Sequence, residues 1–359
     1  DMQSFHGARQ FQNVKFTDED YHVKAGLYVF GANHGQFNSV WGRNDMSFPS
    51  IALYNKKQLM STMDQLTIGK VFISAFLEAT LMNKKEYFDI FRDYRNGINW
   101  LPETIYLNQF EDSECEIIAS FQEDIDLITA TRDSWQISTE NLTVWKEREV
   151  PLKWGRQSTR AVYAGWNLEA TDSLPGLLTL EQTDQDTLRT DSSSYLYFVL
   201  ADAKANSNPN PKEEENGENI QNNLKMAGKN KRMNKKRKGR EKESDEQVND
   251  EDNDEEEEKE PYNLTIVLTD VHGDSASLPL SHFKHLQRQV ETKLMKADFM
   301  FEGDNSELVL QAYFFPLADF KFVNPEFDTE EILKIQFLFN KTEEGVMVID
   351  NIGYWRQSW

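Results

Sequence analysis

What the chain has little of narrows the field first. A single cysteine, Cys115, can form no internal disulfide and cannot build a thiolate zinc site. Basic residues are outnumbered, 39 lysines and arginines against 61 aspartates and glutamates. The resulting net charge of -22 offers no positive field to nucleic acid or an anionic membrane. No run approaches the roughly 20 consecutive apolar residues of a spanning helix, so a soluble protein without a transmembrane segment is expected. A basic and then apolar leader is also missing from the first residues, and the chain opens on Asp1. The reading is that an upstream part is absent, with a secreted or cell-envelope location left open.

What is present is ample material for packed cores, with 38% hydrophobic and 12% aromatic residues in 359 positions. That length predicts two domains. Lys24 to Phe30 form a short apolar and aromatic run ended by Gly31, the pattern of a buried strand feeding a turn. From Lys57 to Leu81 apolar residues recur every three to four positions, which predicts an amphipathic helix. Tyr87, Phe88, Phe91 and Tyr94 predict a second, shorter one before Pro102.

Beyond Pro102 strand-like runs dominate: Thr104 to Phe110, Ile137 to Val150, Ala161 to Trp166 and Tyr195 to Leu200. After Pro261 come Leu264 to Leu268, Leu308 to Phe315, Ile332 to Phe339 and Val346 to Ile349. Strands punctuated by Asp, Ser, Gly and Pro, without helices between them, predict an antiparallel, jelly-roll-like sandwich. Residues 204–260 hold almost no large apolar side chains and run from basic to acidic, which predicts a disordered insertion within that sandwich. The expected organisation is thus 1–101, then 102–203 with 261–359, and the insertion at 204–260.

Candidate chemistry centres on Val29-Phe30-Gly31-Ala32-Asn33-His34-Gly35-Gln36-Phe37-Asn38, where a histidine follows a strand in a glycine-flanked loop before a long helix. An imidazole titrating near neutrality suits proton transfer in both directions. This segment resembles bacterial α/β hydrolases of the lipase and esterase type, in which a strand ends in a Gly-Ala-Asn-His-like turn. Asp1-Met2-Gln3-Ser4-Phe5-His6-Gly7-Ala8-Arg9 is similar to the tail of their acidic loop. The resemblance implies that residues 1–101 are the C-terminal part of an α/β hydrolase, an incomplete parallel sheet with helices. It further implies His34 as general base, Asp1 or its missing neighbour as the acid that orients it, and a small-molecule or lipid ester as substrate. No Gly-x-Ser-x-Gly elbow occurs, so the serine nucleophile is expected upstream and this chain alone is expected to be inactive.

The last fifty or so residues resemble β-sandwich modules of the galactose-binding, carbohydrate-binding type. The match runs through Phe315-Pro316-Leu317-Ala318-Asp319-Phe320, Ile335-Gln336-Phe337-Leu338-Phe339 and Val348-Ile349-Asp350-Asn351-Ile352-Gly353-Tyr354. That resemblance implies a sandwich able to hold a glycan and says little of the ligand. Trp135, Trp145, Trp154, Trp166 and Trp355 are read as core, with a sugar-stacking platform as the alternative. His282 and His285 with Asp274 have no defined ligating geometry, so neither metal nor cofactor is expected. The second functional class is a non-catalytic module that binds a glycan or a protein on a relic hydrolase fold.

Overall fold

The computed structural model describes residues 5–38, 40–45, 52–152, 155–184, 188–208, 260–293, 295–296 and 305–357. The chain divides into two units, residues 1–207 with 261–359, and residues 208–260. All that follows concerns the first. The tract expected to be disordered, 204–260, lies almost wholly outside the described residues, as does Asp1.

In chain order the elements are α1 (His6–Asn13), β1 (Val23–Val29), α2 (Thr62–Thr80), α3 (Asp89–Arg92), β2 (Tyr106–Asp112) and β3 (Cys115–Ala119). Then follow β4 (Trp135–Glu140), β5 (Val144–Leu152), β6 (Gly155–Asn167), β7 (Gly176–Gln182) and β8 (Ser194–Asp202). The last are β9 (Thr265–Asp270), β10 (Ser275–Pro279), β11 (Gln311–Pro316), α4 (Leu317–Val323), β12 (Ile332–Phe339) and β13 (Glu344–Arg356). Two sheets face each other, one ordered β10-β9-β12-β7-β4, the other β11-β8-β13-β6-β5 with β3 added along β13. This is the antiparallel β-sandwich expected for the C-terminal part.

The alternation of each strand shows which face it buries. In the five-stranded sheet Ile266, Leu268, Ile335, Phe337 and Phe339 point to the shared core, while Thr179, Glu181, Thr269 and Gln336 stay on the other side. The six-stranded sheet behaves differently, because both of its faces are covered. Leu196, Phe198 and Leu200 of β8 enter the core between the sheets, and Tyr197, Val199 and Ala201 enter a second core on the opposite side. Strand β13 does the same with Met347 and Ile349 against Val346 and Val348. What covers that second face is the N-terminal region: Ile68, Phe72, Ala75 and Ala79 of α2, Phe88 to Phe91, and Tyr106 and Phe110 of β2.

Helix α2 begins where Ser61 caps it, its hydroxyl accepting from the Asp64 N–H at 3.1 Å while donating to the Asp64 carboxylate at 2.7 Å. Its buried residues, Gln65, Ile68, Phe72, Ala75 and Ala79, recur at helical spacing. Met63, Ile73, Phe76 and Leu77 lie exposed on the same helix.

Residues 1–101 do not show the expected α/β-hydrolase portion. Strand β1 forms a two-stranded ribbon with β2, antiparallel, with Val23 opposite Asp112 and Val29 opposite Tyr106. Among the described residues every strand pair is antiparallel, so an incomplete parallel sheet in residues 1–101 is not shown. The physical reason is that an apolar run announces a strand but carries no information on the partner or its direction. Instead, the run at 106–112 doubles back on β1.

Two buried carboxyls lie at the second core. Asp112 accepts from the Trp355 indole N–H at 2.8 Å, the Tyr21 hydroxyl at 3.1 Å and the Glu114 N–H at 3.0 Å. Burial nevertheless pushes it up to about 6. Asp350 is fully buried and neither of its oxygens makes a hydrogen bond among the described residues. Burial and then Glu111 push it up to about 8, offset in part by the Asn351 N–H, Lys15 and Lys24.

The register of β13 shifts at Ile352 and Gly353, where it meets β3. A Cβ on Gly353 would stand 2.1 Å from the Glu116 carbonyl oxygen, a backbone atom that cannot move alone. Gly353→Ala is therefore expected to destabilise the protein by about 1–3 kcal/mol, the usual range for overpacking, measured by urea denaturation. An unchanged midpoint would show that β3 gives way freely.

The chain leaves this unit and re-enters it at one place. The Ser207 hydroxyl donates to Glu344 at 2.6 Å. Tyr262 packs edge-on to Trp166, ring centroids 5.2 Å apart, against Gly345.

Candidate functional site

After β1 the backbone turns at Gly31, whose φ of +78° suits glycine. A Cβ there would meet the Gln58 carbonyl at 2.8 Å. The Gly31 carbonyl accepts from the Met60 N–H at 2.9 Å, which ties the turn to the segment before α2.

The next residues are held by a buried polar network. Asn33 donates its N–H to Gln65 Oε1 at 2.9 Å and accepts at its carbonyl from Gln65 Nε2 at 2.6 Å. Gln36 Nε2 donates to the same Gln65 oxygen at 3.0 Å, and Thr62 Oγ1 donates to Gln36 Oε1 at 2.8 Å. Asp45 closes the loop from outside, accepting from the His34 N–H at 3.1 Å, the Gly35 N–H at 2.6 Å and Asn33 Nδ2 at 2.9 Å. Among these groups the buried Asn33 Oδ1 has no hydrogen-bond partner in the described residues, while the several bonds that are made fix one loop conformation.

This framework presents the His34 ring outward, tilted against Trp41 with centroids 5.6 Å apart. The ring lines a cavity of about 830 Å³ beside β1. Tyr28, Phe30, Phe37, Tyr54 and Phe72 supply aromatic surface; Asn33, Gln58, Gln109, Thr292 and Lys293 supply polar groups. Burial and then Glu307 push the Tyr28 phenol up to about 12, and burial with the Asp45 charge raises that of Tyr54, so both stay neutral donors.

The residues singled out by sequence are placed unevenly. His34 stands at the cavity, between β1 and α2, on the exit turn of a half-exposed strand and 28 residues short of the long helix. Among the described residues no hydroxyl, thiol or carboxylate is hydrogen-bonded to its ring, and the nearest acid in the loop, Asp45, is occupied by backbone amides and Asn33. Asp1, the anticipated triad acid, lies outside the described residues. Cys115 is sequestered in the second core, where burial holds its thiol well above the ordinary range. Gln36, Gln65 and Asp45, which set the loop, were not singled out. Gln65 was legible in principle, being a polar residue inside an otherwise apolar helical stripe.

The other histidines do not converge. His282 Nε2 lies 2.7 Å from Asp319, and the His285 carbonyl accepts from the Tyr313 hydroxyl at 3.2 Å. Asp274 is tied by its N–H to Asp270. His272, Asp328 and Glu331 bring one ligand-type atom each within 4.8 Å of one another, at the surface. Trp135, Trp166 and Trp355 are core residues, as read from the sequence; Trp145 packs partly buried against the core between the sheets, and Trp154 lies outside the described residues. No helix among the described residues is long and apolar enough to cross a membrane.

Neither a known protein family nor a curated protein matches the sequence. Among solved structures, the chain is similar to a family 30 carbohydrate-binding module at 9% identity and a TM-score of 0.31, over 60% of this chain and 75% of that one. A family 11 carbohydrate-binding module of a cellulosomal cellulase from Clostridium thermocellum aligns at 9% identity and 0.31, over 68% of this chain and 95% of that one. An exo-β-agarase aligns at 10% identity and 0.33, over 69% of this chain and 25% of its own. The sandwich assignment rests on the strand pairing described above and not on these scores.

Proposed function

We propose that this chain acts as a non-catalytic recognition module, of the glycan- or protein-binding kind, with its ligand seated in the cavity beside β1. The observation that carries this reading is the cavity itself: about 830 Å³, aromatic walls with interspersed amides, and a rim loop locked by buried hydrogen bonds. Aromatic faces hold a ligand by area, and fixed polar groups set its orientation. The outer face of the five-stranded sheet supplies no such aromatic platform, its described side chains there being mainly Thr, Ser, Gln and Glu.

A second reading is favoured by one feature, the over-determined loop that presents an accessible imidazole. In it, His34 is the general base of an ester hydrolase whose nucleophile and orienting acid come from residues other than those described. One experiment separates the two. The protein is titrated with a β-1,3-1,4-linked glucan tetrasaccharide and with extended heptapeptides, His34 ring shifts being followed by NMR, and turnover of p-nitrophenyl esters is assayed alongside. The recognition reading expects ring shifts on binding, weakening of about tenfold in Phe37→Ala, and no turnover. Turnover that disappears in His34→Ala establishes the hydrolase reading instead.

A further inference from the structure

Among the described residues strand β1 has a partner on one edge, β2. Its pairing parity follows from two hydrogen bonds at the ends: the Phe30 N–H donates to the Ile105 carbonyl, and the His22 carbonyl accepts from the Ser113 N–H. Even-numbered residues of β1 therefore direct their N–H and C=O groups to β2, and Val23, Ala25, Leu27 and Val29 direct theirs to the opposite edge. The Val29 carbonyl turns back to the Ala32 N–H. The outward groups of Ala25 and Leu27 have no hydrogen-bond partner among the described residues.

That edge opens into the cavity. Six consecutive residues, 25 to 30, line it together with Leu107 and Gln109 of β2, so the cavity runs around the free backbone edge of the strand and onto the face that carries Tyr28. The opposite wall is helix α2, through Ile68, Gly69, Phe72 and Ile73. Ile73 begins the exposed apolar surface that continues to Phe76 and Leu77. The groove thus has a row of unsatisfied backbone donors and acceptors on one side and an apolar helix on the other. A sugar ring meets the second demand through stacking but cannot match the spacing of the first, whereas an extended polypeptide meets both.

We infer that the free edge of β1 is a docking site for an extended polypeptide, which adds as a third strand to the β1-β2 ribbon and lays apolar side chains on α2. The inference rests on the recognition reading and names its ligand class. The occupant runs for about seven residues, the length of β1, with alternating apolar side chains.

The test uses the whole chain and a probe peptide of seven alternating valines and threonines flanked by lysines. Amide exchange is read at Ala25 and Leu27 against Gly26 and Tyr28. Binding is expected to slow exchange at the outward amides by about tenfold or more and to leave the inward pair unchanged. Ala25→Pro removes an outward N–H without touching the bonds to β2, since proline is tolerated on a free strand edge. It is expected to abolish the protection. Ile73→Glu, on the exposed wall of the groove, weakens binding without altering β1, and serves if the proline variant fails to fold. Glucan binding with no peptide binding overturns the inference and leaves the recognition reading intact; peptide binding that survives both substitutions overturns the inference alone. Silence to both probes overturns both.

Discussion

Asp350→Asn raises the melting temperature at pH 8 and leaves it nearly unchanged at pH 4. The folded carboxyl, buried without a hydrogen-bond partner, titrates near 8, against 3.8 for the ordinary group. Below pH 4 both the folded and the unfolded chain carry the proton, and Asp350 makes no difference to stability. Between pH 4 and 8 the unfolded chain releases that proton while the folded chain keeps it. Stability therefore falls as pH rises, by about 1.4 kcal/mol for each pH unit, and the full penalty is on the order of 5 kcal/mol above pH 8. Asp112, pushed up to about 6, adds a smaller decline of the same sign between pH 4 and 6. Asparagine is neutral throughout and nearly the same size, so it removes the Asp350 slope. Thermal unfolding of both proteins from pH 4 to 9 checks this. If asparagine costs as much stability at pH 8 as at pH 5, the carboxylate is held charged by a cation, and the assignment fails.

A chain beginning at residue 113 should be insoluble or self-associated. Without residues 5–112 the six-stranded sheet would present Tyr163, Tyr197, Val199, Phe314, Val346, Val348 and Trp355 to water on one broad face. Contiguous apolar surface beyond a few hundred Å² is rare on soluble monomers and drives association. Trp355 would also lose Asp112, the acceptor of its indole N–H. Size-exclusion chromatography of the truncated chain decides the matter. A monomer that unfolds cooperatively would instead show that the sandwich is a separable folding unit, the organisation anticipated from sequence.

That contrast marks where sequence reading stops. Helix α2 was legible because five buried positions recur at helical spacing, and its observed span, Thr62–Thr80, sits inside the anticipated 57–81. The run 137–150 was read as one strand but holds two, because Asn141 turns the chain with a φ of +53° and carries it from one sheet to the other. Tyr195 to Leu200 was legible as a strand, yet its unbroken apolar character carried a further message, a sheet covered on both faces. Missing it hid the role of residues 5–112 as a cover. At the candidate site His34 and its glycines could be singled out by local pattern. Gln65 stood out only as a polar residue in an apolar stripe, and nothing local named its partner; Asp45 could not be singled out at all, because both hold backbone groups 10 to 32 residues distant and no local pattern encodes such distances.

The joint where Ser207 leaves and Tyr262 returns has a bearing on how this protein can be altered. Both ends are clamped beside the start of β13, one through Glu344 and the other against Gly345 and Trp166. The two described ends therefore meet at one place, and closing a longer loop between them costs only about 0.6 kcal/mol per doubling of its length. Any guest whose ends lie close together, a fluorescent reporter or an affinity tag, is therefore graftable between these two residues while the strand register of both sheets is preserved.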